Sequence, residues 1–230
     1  MLIGVDMKIA EYIKDKPRLK RLLLWMMIPT NQQRPRVWIQ WFVNPFVHRK
    51  GKGALIRRRT RKDVFPYYAF SLGDYSLIED FATINNGVGD VSIGKRSIVG
   101  IGNVIIGPIF IGDDVMLAQN VVLSGLNHGY ENTELPPSKQ DVSLGLIRIE
   151  DRVWIGANSV VTAGVTIGKH AVIGAGSIVT RDIPAFSVAV GNPARVIKAF
   201  NSELGKWERV SQSNSGMVQQ EKATEKNEDR

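Results

Sequence analysis

The chain has no cysteine among its 230 residues. That absence excludes a disulfide scaffold and a thiol nucleophile, and it fits a reducing compartment. Histidine is scarce: His48, His128 and His170 are the only three. No apolar run approaches the roughly eighteen residues that mark a bilayer span. The apolar stretch Leu22 to Ile28 lacks the small-residue cleavage site of a signal peptide. Together these absences predict a cytoplasmic protein. Acid is missing locally, since His48 to Lys62 holds eight Lys and Arg and no Asp or Glu in a chain of formal net charge +8.

What is present is a beat of six. Ile93, Val99, Ile105, Ile111, Leu117 and Leu123 form one run. Ile149, Ile155, Val161, Ile167, Ile173 and Val179 form a second, and Leu72, Ile78 and Ile84 precede both. A helix repeats at 3.6 and a strand at 2, so a period of six belongs to neither. It marks a solenoid whose repeat supplies one short strand and one turn. Glycine often follows the aliphatic, as at Gly73, Gly94, Gly112 and Gly156, where the backbone turns or approaches a neighbour closely. Four places on comes a small or β-branched residue such as Ser76, Ser97, Val115 or Ala171.

The phase breaks twice. The step from Ile84 to Ile93 is nine, which puts Asn85-Asn86-Gly87 in a bulge. The step from Leu123 to Ile149 is twenty-six, so residues 124–148 leave the wall as a loop carrying His128. A loop of that length in a compact domain tends to be functional or disordered. A base for proton transfer near neutrality is best made from histidine. His48 sits in the basic run, where neighbouring cations depress its pKa, and His170 falls at a turn with a solvated role. His128 is the geometric favourite.

This pattern resembles the hexapeptide-repeat acyltransferases, specifically their sugar and polysaccharide O-acetyltransferase type. The resemblance covers residues 72–198 and implies a mainly β fold, a left-handed parallel β-helix in which three hexapeptides make one coil. Ile93 would then stack on Ile111, Val99 on Leu117, Ile149 on Ile167 and Ile155 on Ile173, about 4.8 Å apart. It also implies an acetyl-CoA co-substrate without a metal, a homotrimer with sites between subunits, and a sugar or glycan acceptor in surface polysaccharide synthesis. The segment Leu123-Ser124-Gly125-Leu126-Asn127-His128 matches the family's catalytic histidine. Trp154, in Asp151-Arg152-Val153-Trp154-Ile155-Gly156, matches a tryptophan near the acceptor. Packing against the loop is its alternative role. Ala157 and Ala175 would offer backbone groups to the thioester and pantetheine arm. Thr180, Arg181, Arg195 and Lys198 would lie toward the adenosine and phosphates. The galactoside enzymes carry an acceptor asparagine before the histidine, a region that here aligns only with a gap; Asn103, Asn85 and Asn86 are the candidates.

Outside the solenoid, residues 1–71 read as an N-terminal segment with an amphipathic helix over 6–28, interrupted near Pro17. The aromatic stretch Val37 to Val43 and the basic run after it are expected to cap the solenoid's open end. The alternative is contact with an anionic membrane surface. No nucleic-acid-binding motif accompanies the charge. Residues 199–210 are expected to form a short helix and 211–230 a disordered tail. Serine, antibiotic or nucleotide-amino-sugar acceptors stay open, as does a non-catalytic scaffold. A zinc anhydrase on this fold needs three convergent histidines, and the spacing of these three does not match.

Overall fold

The computed structural model describes residues 16–30, 32 and 34–210. Its body is a parallel β-helix of six coils, each coil giving one strand to each of three sheets. Coil 1 comprises β1 (Arg49–Lys50), β2 (Leu55–Ile56) and β3 (Arg61–Asp63); coil 2 comprises β4 (Phe70–Leu72), β5 (Leu77–Ile78) and β6 (Thr83–Asn85). Coil 3 is β7 (Val91–Ile93), β8 (Ile98–Val99) and β9 (Val104–Ile106), and coil 4 is β10 (Ile109–Ile111), β11 (Met116–Leu117) and β12 (Val122–Ser124). A hairpin of β13 (Leu126–His128) and β14 (Val142–Leu144) follows. Coil 5 is β15 (Ile147–Ile149), β16 (Trp154–Ile155) and β17 (Val160–Val161). Coil 6 is β18 (Thr166–Ile167), β19 (Val172–Ile173) and β20 (Ile178–Val179). The first strands of the coils make face 1, the second face 2 and the third face 3.

The expected stacks are all in register: Ile93 on Ile111, Val99 on Leu117, Ile149 on Ile167, and Ile155 on Ile173. The six-beat aliphatics from Leu72 to Val179 form one continuous buried core. Each such side chain removed from water contributes about 1.5–3 kcal/mol.

The other repeat positions have distinct work. The glycine after the aliphatic is there for close approach: a Cβ on Gly100 would lie 2.7 Å from the carbonyl oxygens of Leu117 and Ala118. The turn itself is made two residues later, at the left-handed positions Arg96, Asp114, Asn120, Arg152, Asn158 and His170. Side chains there cost backbone energy, yet glycine fills only some of these corners, as at Gly102 and Gly176. The fourth-place serines relay hydrogen bonds between coils. Ser97 Oγ donates to Gly112 O at 2.7 Å and accepts from Val115 N at 3.0 Å.

Two expectations are corrected. The solenoid begins at β1 and not at residue 72, because the basic run is itself coil 1, with Lys50 and Lys62 paired to Leu72 and Ile84. At the terminal coil no further coil stacks on the aliphatic place, so a lysine can extend its charge to water from it, and Lys50 and Lys62 are both exposed. The C-terminal helix over 199–210 is instead a β-hairpin. After β21 (Ser187–Val190), β22 (Arg195–Asn201) returns antiparallel and pairs with β23 (Lys206–Arg209), Phe200 facing Trp207. Asn201 Oδ1 accepts from Glu203 N and Leu204 N, and Gly205 takes φ +62° in the turn. Phe200 and Trp207 pack at 5.6 Å between ring centres. The edge of face 2 is thereby extended by two antiparallel strands, ending at β23.

At the other end, helix α1 (Pro17–Met27) leads to α2 (Val37–Phe42) and α3 (Asn44–Val47). Asn44 Nδ2 donates to Val64 O at 2.8 Å and Arg34 approaches buried Asp63, so these short helices lie against coil 1. Residues 6–15 of the expected N-terminal helix and the 211–230 tail lie outside the described residues.

Candidate active site

The excursion is a hairpin, and it leaves the wall at the edge where face 3 passes to face 1. Strand β13 pairs antiparallel with β14, placing His128 opposite Val142. The hairpin is closed at its base by Gly145 N donating to Gly125 O at 2.9 Å. Both glycines sit where a side chain would strike the wall, at Pro108 for Gly125 and at Gly164 for Gly145. The tip is organised by Gln140, whose Nε2 donates to Asn132 O and Leu135 O while its Oε1 accepts from Asn132 N. A lone glutamine in a polar loop has no sequence signal, and its organising role went unpredicted.

His128 is exposed on this hairpin. His48 is half-buried on the approach to coil 1. Its Nδ1 accepts from Phe70 N, its Nε2 is buried with no partner among the described residues, and its pKa is lowered. Burial is the cause, not the neighbouring cations first expected to depress it. His170 is exposed at a left-handed corner and stacks on Phe186 at 5.6 Å. The three histidines therefore stand on separate elements.

The remaining candidates divide among edges and faces. Trp154 is exposed on face 2, in register between Met116 and Val172. Ala157 and Ala175 follow β16 and β19, on the edge between faces 2 and 3, where a Cβ on Gly156 would lie 2.5 Å from the Ala175 nitrogen, so only glycine lets coils 5 and 6 stack there. The Ala157 carbonyl accepts from Gly176 N, whereas its own N–H meets no acceptor among the described residues. Thr180 and Arg181 are exposed beyond β20, on the edge between faces 3 and 1. Arg195 and Lys198 are exposed on β22, which widens face 2. Ala157, Ala175 and the β22 cations thus share one side of the prism. The His128 hairpin rises from the edge that face 2 does not touch, so its base and Trp154 lie on different sides of the prism.

The asparagines sort by burial. Asn103 is removed from the acceptor candidates, because it is fully buried at an inner corner, its Oδ1 accepting from Val121 N at 2.7 Å. Asn86 is fully buried too, clamping Phe65 and Tyr68 through three hydrogen bonds. Asn85 is half-exposed at the end of β6, with its Oδ1 on Gly87 N.

Comparison with known proteins bears on this arrangement. Residues 90–124 and 146–181 match the model of the hexapeptide repeat of succinyl-transferase. The hexapeptide repeat expected from the resemblance is borne out on both sides of the hairpin. The chain is 48% identical over 93 residues to a galactoside O-acetyltransferase of Escherichia coli K12, covering 40% of this chain and 45% of that protein. It is 34% identical over 109 residues to the putative lipopolysaccharide biosynthesis O-acetyl transferase WbbJ of the same organism, covering 44% and 56%. The chain spans about half the length of these curated relatives. Among solved structures, AntD, an N-acyltransferase from Bacillus cereus in complex with dTDP and 3-hydroxybutyryl-CoA, superposes with a TM-score of 0.60 at 22% identity over 83% of this chain and 97% of that one. At that identity the likeness speaks for the fold.

Proposed function

We infer that this hexapeptide-repeat chain is an acyl-CoA-dependent acetyltransferase acting on a sugar hydroxyl of a surface polysaccharide or related glycan. The observation that carries the reading is a rigid coil wall interrupted by one histidine-bearing hairpin. The similarity to two O-acetyltransferases supports the reaction class. His128 removes the proton of the acceptor hydroxyl as that oxygen attacks the thioester carbonyl of acetyl-CoA. The resulting oxyanion accepts a hydrogen bond from the Ala157 N–H, fixed on the wall and without an internal acceptor. Collapse breaks the carbon–sulfur bond, and the departing thiolate takes the proton from His128.

Ala175 lines the path of the pantetheine arm, Arg195 and Lys198 on face 2 meet its charged end, and Thr180 and Arg181, on the edge between faces 3 and 1, meet it from the neighbouring copy. A charge-assisted bond to a phosphate contributes about 1.5–3 kcal/mol. Trp154 and Asn85 are the acceptor-side candidates.

Within one chain the hairpin and Trp154 lie apart, and this reading closes the gap with a second copy. Face 2 presents Leu55, Ile98, Met116 and Trp154, all exposed, in one register-aligned ladder. An apolar stripe of this kind fits burial against another copy, with His128 of one reaching the wall of the next. A homotrimer satisfies this arrangement.

The experiment is thiol release from acetyl-CoA with a panel of sugar hydroxyl and amino-sugar acceptors. His128→Ala should lower turnover about 10²–10⁴-fold while acetyl-CoA binding, read by calorimetry, stays unchanged. Unaltered turnover in that variant removes His128 from the chemistry, and failure of the native chain to bind acetyl-CoA removes the enzyme reading.

A further inference from the structure

The N-terminal end carries the molecule's strongest unexplained feature. Residues 16–62 contain fourteen Lys and Arg and no Asp or Glu, so the rest of the chain is net acidic against an overall charge of +8. The first acid to follow, Asp63, is buried and paired with Arg61 at 2.8 Å. Beside it, Arg34 and Gln40 join Arg58, Arg59 and Lys62 around a pocket of about 360 Å³. Clustered guanidinium and ammonium donors of this kind are chemically suited to the oxygens of a phosphate.

Many of the large apolar side chains described on this end face outward. Helix α1 buries none of its eleven residues, although its second half reads Leu22-Leu23-Leu24-Trp25-Met26-Met27. Its first turn holds Arg18 and Lys20, which the positive end of a helix disfavours, so these charges serve something other than helix stability. Helix α2 turns Ile39 inward, where it is 2% exposed, and Trp41 and Phe42 outward at 71% and 69%. Phe46 on α3 is 86% exposed. The two helices are held in one unit: Arg36 donates to Trp25 O, its guanidinium lies 5.3 Å from the Trp25 ring, and Trp38 Nε1 donates to Met26 O. Capping of coil 1 accounts for Ile39 and Asn44. It leaves the outward aromatics unaccounted for.

We propose that this end of the solenoid is a docking surface for an anionic phospholipid bilayer, with the outward aromatics entering the headgroup boundary and the Arg58–Lys62 pocket taking a lipid phosphate. Charge complementarity selects the occupant. A second copy of this chain would bring fourteen more cations to the same place, whereas an anionic leaflet neutralises them. Aromatic side chains beside clustered Lys and Arg are the composition of interfacial helices, and each cation near an anionic surface adds to partitioning. The surface belongs to the coil-1 end, remote from the coil-5 and coil-6 positions assigned to the acyl donor.

The test is sedimentation of the full chain with vesicles of equal parts phosphatidylglycerol and phosphatidylcholine, against phosphatidylcholine alone. Because binding is read without acetyl-CoA or acceptor, its outcome is independent of the acetyl-transfer reading. The chain should pellet with the anionic vesicles only and be released by high salt. A Trp41→Ser/Phe42→Ser/Phe46→Ser variant and an Arg58→Gln/Arg59→Gln/Lys62→Gln variant should each bind about tenfold or more weakly. Both should keep the native circular dichroism and the native rate with a soluble acceptor. Equal binding to neutral vesicles, or none to anionic ones, overturns the proposal. So does an aromatic variant that changes the oligomeric state in ultracentrifugation while keeping its vesicle affinity, since a second copy would then be the occupant.

Discussion

At the scale of single residues, the coil tolerates side chains in strained backbone and refuses them where backbones touch. Arg152 and Asn158 hold left-handed φ values of 59° and 58° at exposed corners. Gly100, with an ordinary φ, has no room at all. Gly100→Ala should therefore lower stability by about 1–3 kcal/mol, visible as a lower midpoint in urea, because the obstruction is carbonyl oxygen that cannot move without parting two coils. His48 is a second residue with a measurable signature. Its folded pKa lies below 6.5 because burial disfavours the charged ring. The unfolded chain then binds more protons as pH falls through the window beneath 6.5, so the contribution of neutral His48 is complete above that pH and declines below it. Protonation at Nδ1 would also end the bond from Phe70 N. Thermal midpoints across this window should fall more steeply for the native chain than for His48→Gln.

At the scale of elements, legibility followed the density of repeats. Coils 2 to 6 could be read in the sequence because Leu72, Ile93, Ile149 and their partners occupy an interior place that only an aliphatic fills. Coil 1 could not, because Lys50 and Lys62 stand in that place where no further coil stacks on them. The closing hairpin was hidden for another reason. Residues 199–210 have the composition of a short helix, and what decides them is the edge of β21 waiting for a partner, which is a tertiary fact. The histidine-bearing excursion was legible as a break in phase, though not as a hairpin, since the bonds of Gln140 and the Gly125–Gly145 closure arise only on folding. That closure makes the element separable. Coils 4 and 5 pair directly on all three faces without it. Replacing residues 126–144 with a short glycine-containing turn should leave the far-ultraviolet spectrum and thermal midpoint nearly unchanged while acetyl transfer is lost. A chain that unfolds on this replacement would show the hairpin to be structural.

For the whole molecule, the prism sets the base of the hairpin and the groups of face 2 on different sides. The hairpin leaves the edge between faces 3 and 1, while Trp154 and the β22 cations belong to face 2 and Ala157 and Ala175 to its border with face 3. Each coil edge is fixed by stacked corners such as Asp114 N on Lys95 O and Arg152 N on Asp113 O. If acetyl transfer joins the hairpin of one chain to the wall of another, as proposed above, two different lesions should repair each other. His128→Ala removes the base and leaves the wall intact, whereas Ala175→Trp fills the donor path and leaves the hairpin intact. Each should be inactive alone. After unfolding and refolding together in equal amounts, half the hairpins and half the walls are sound, so about a quarter of the interfaces combine a sound one of each. Activity should return to roughly that fraction of native, read by thiol release. A site contained within one chain would return none, because every chain in the mixture carries a lesion.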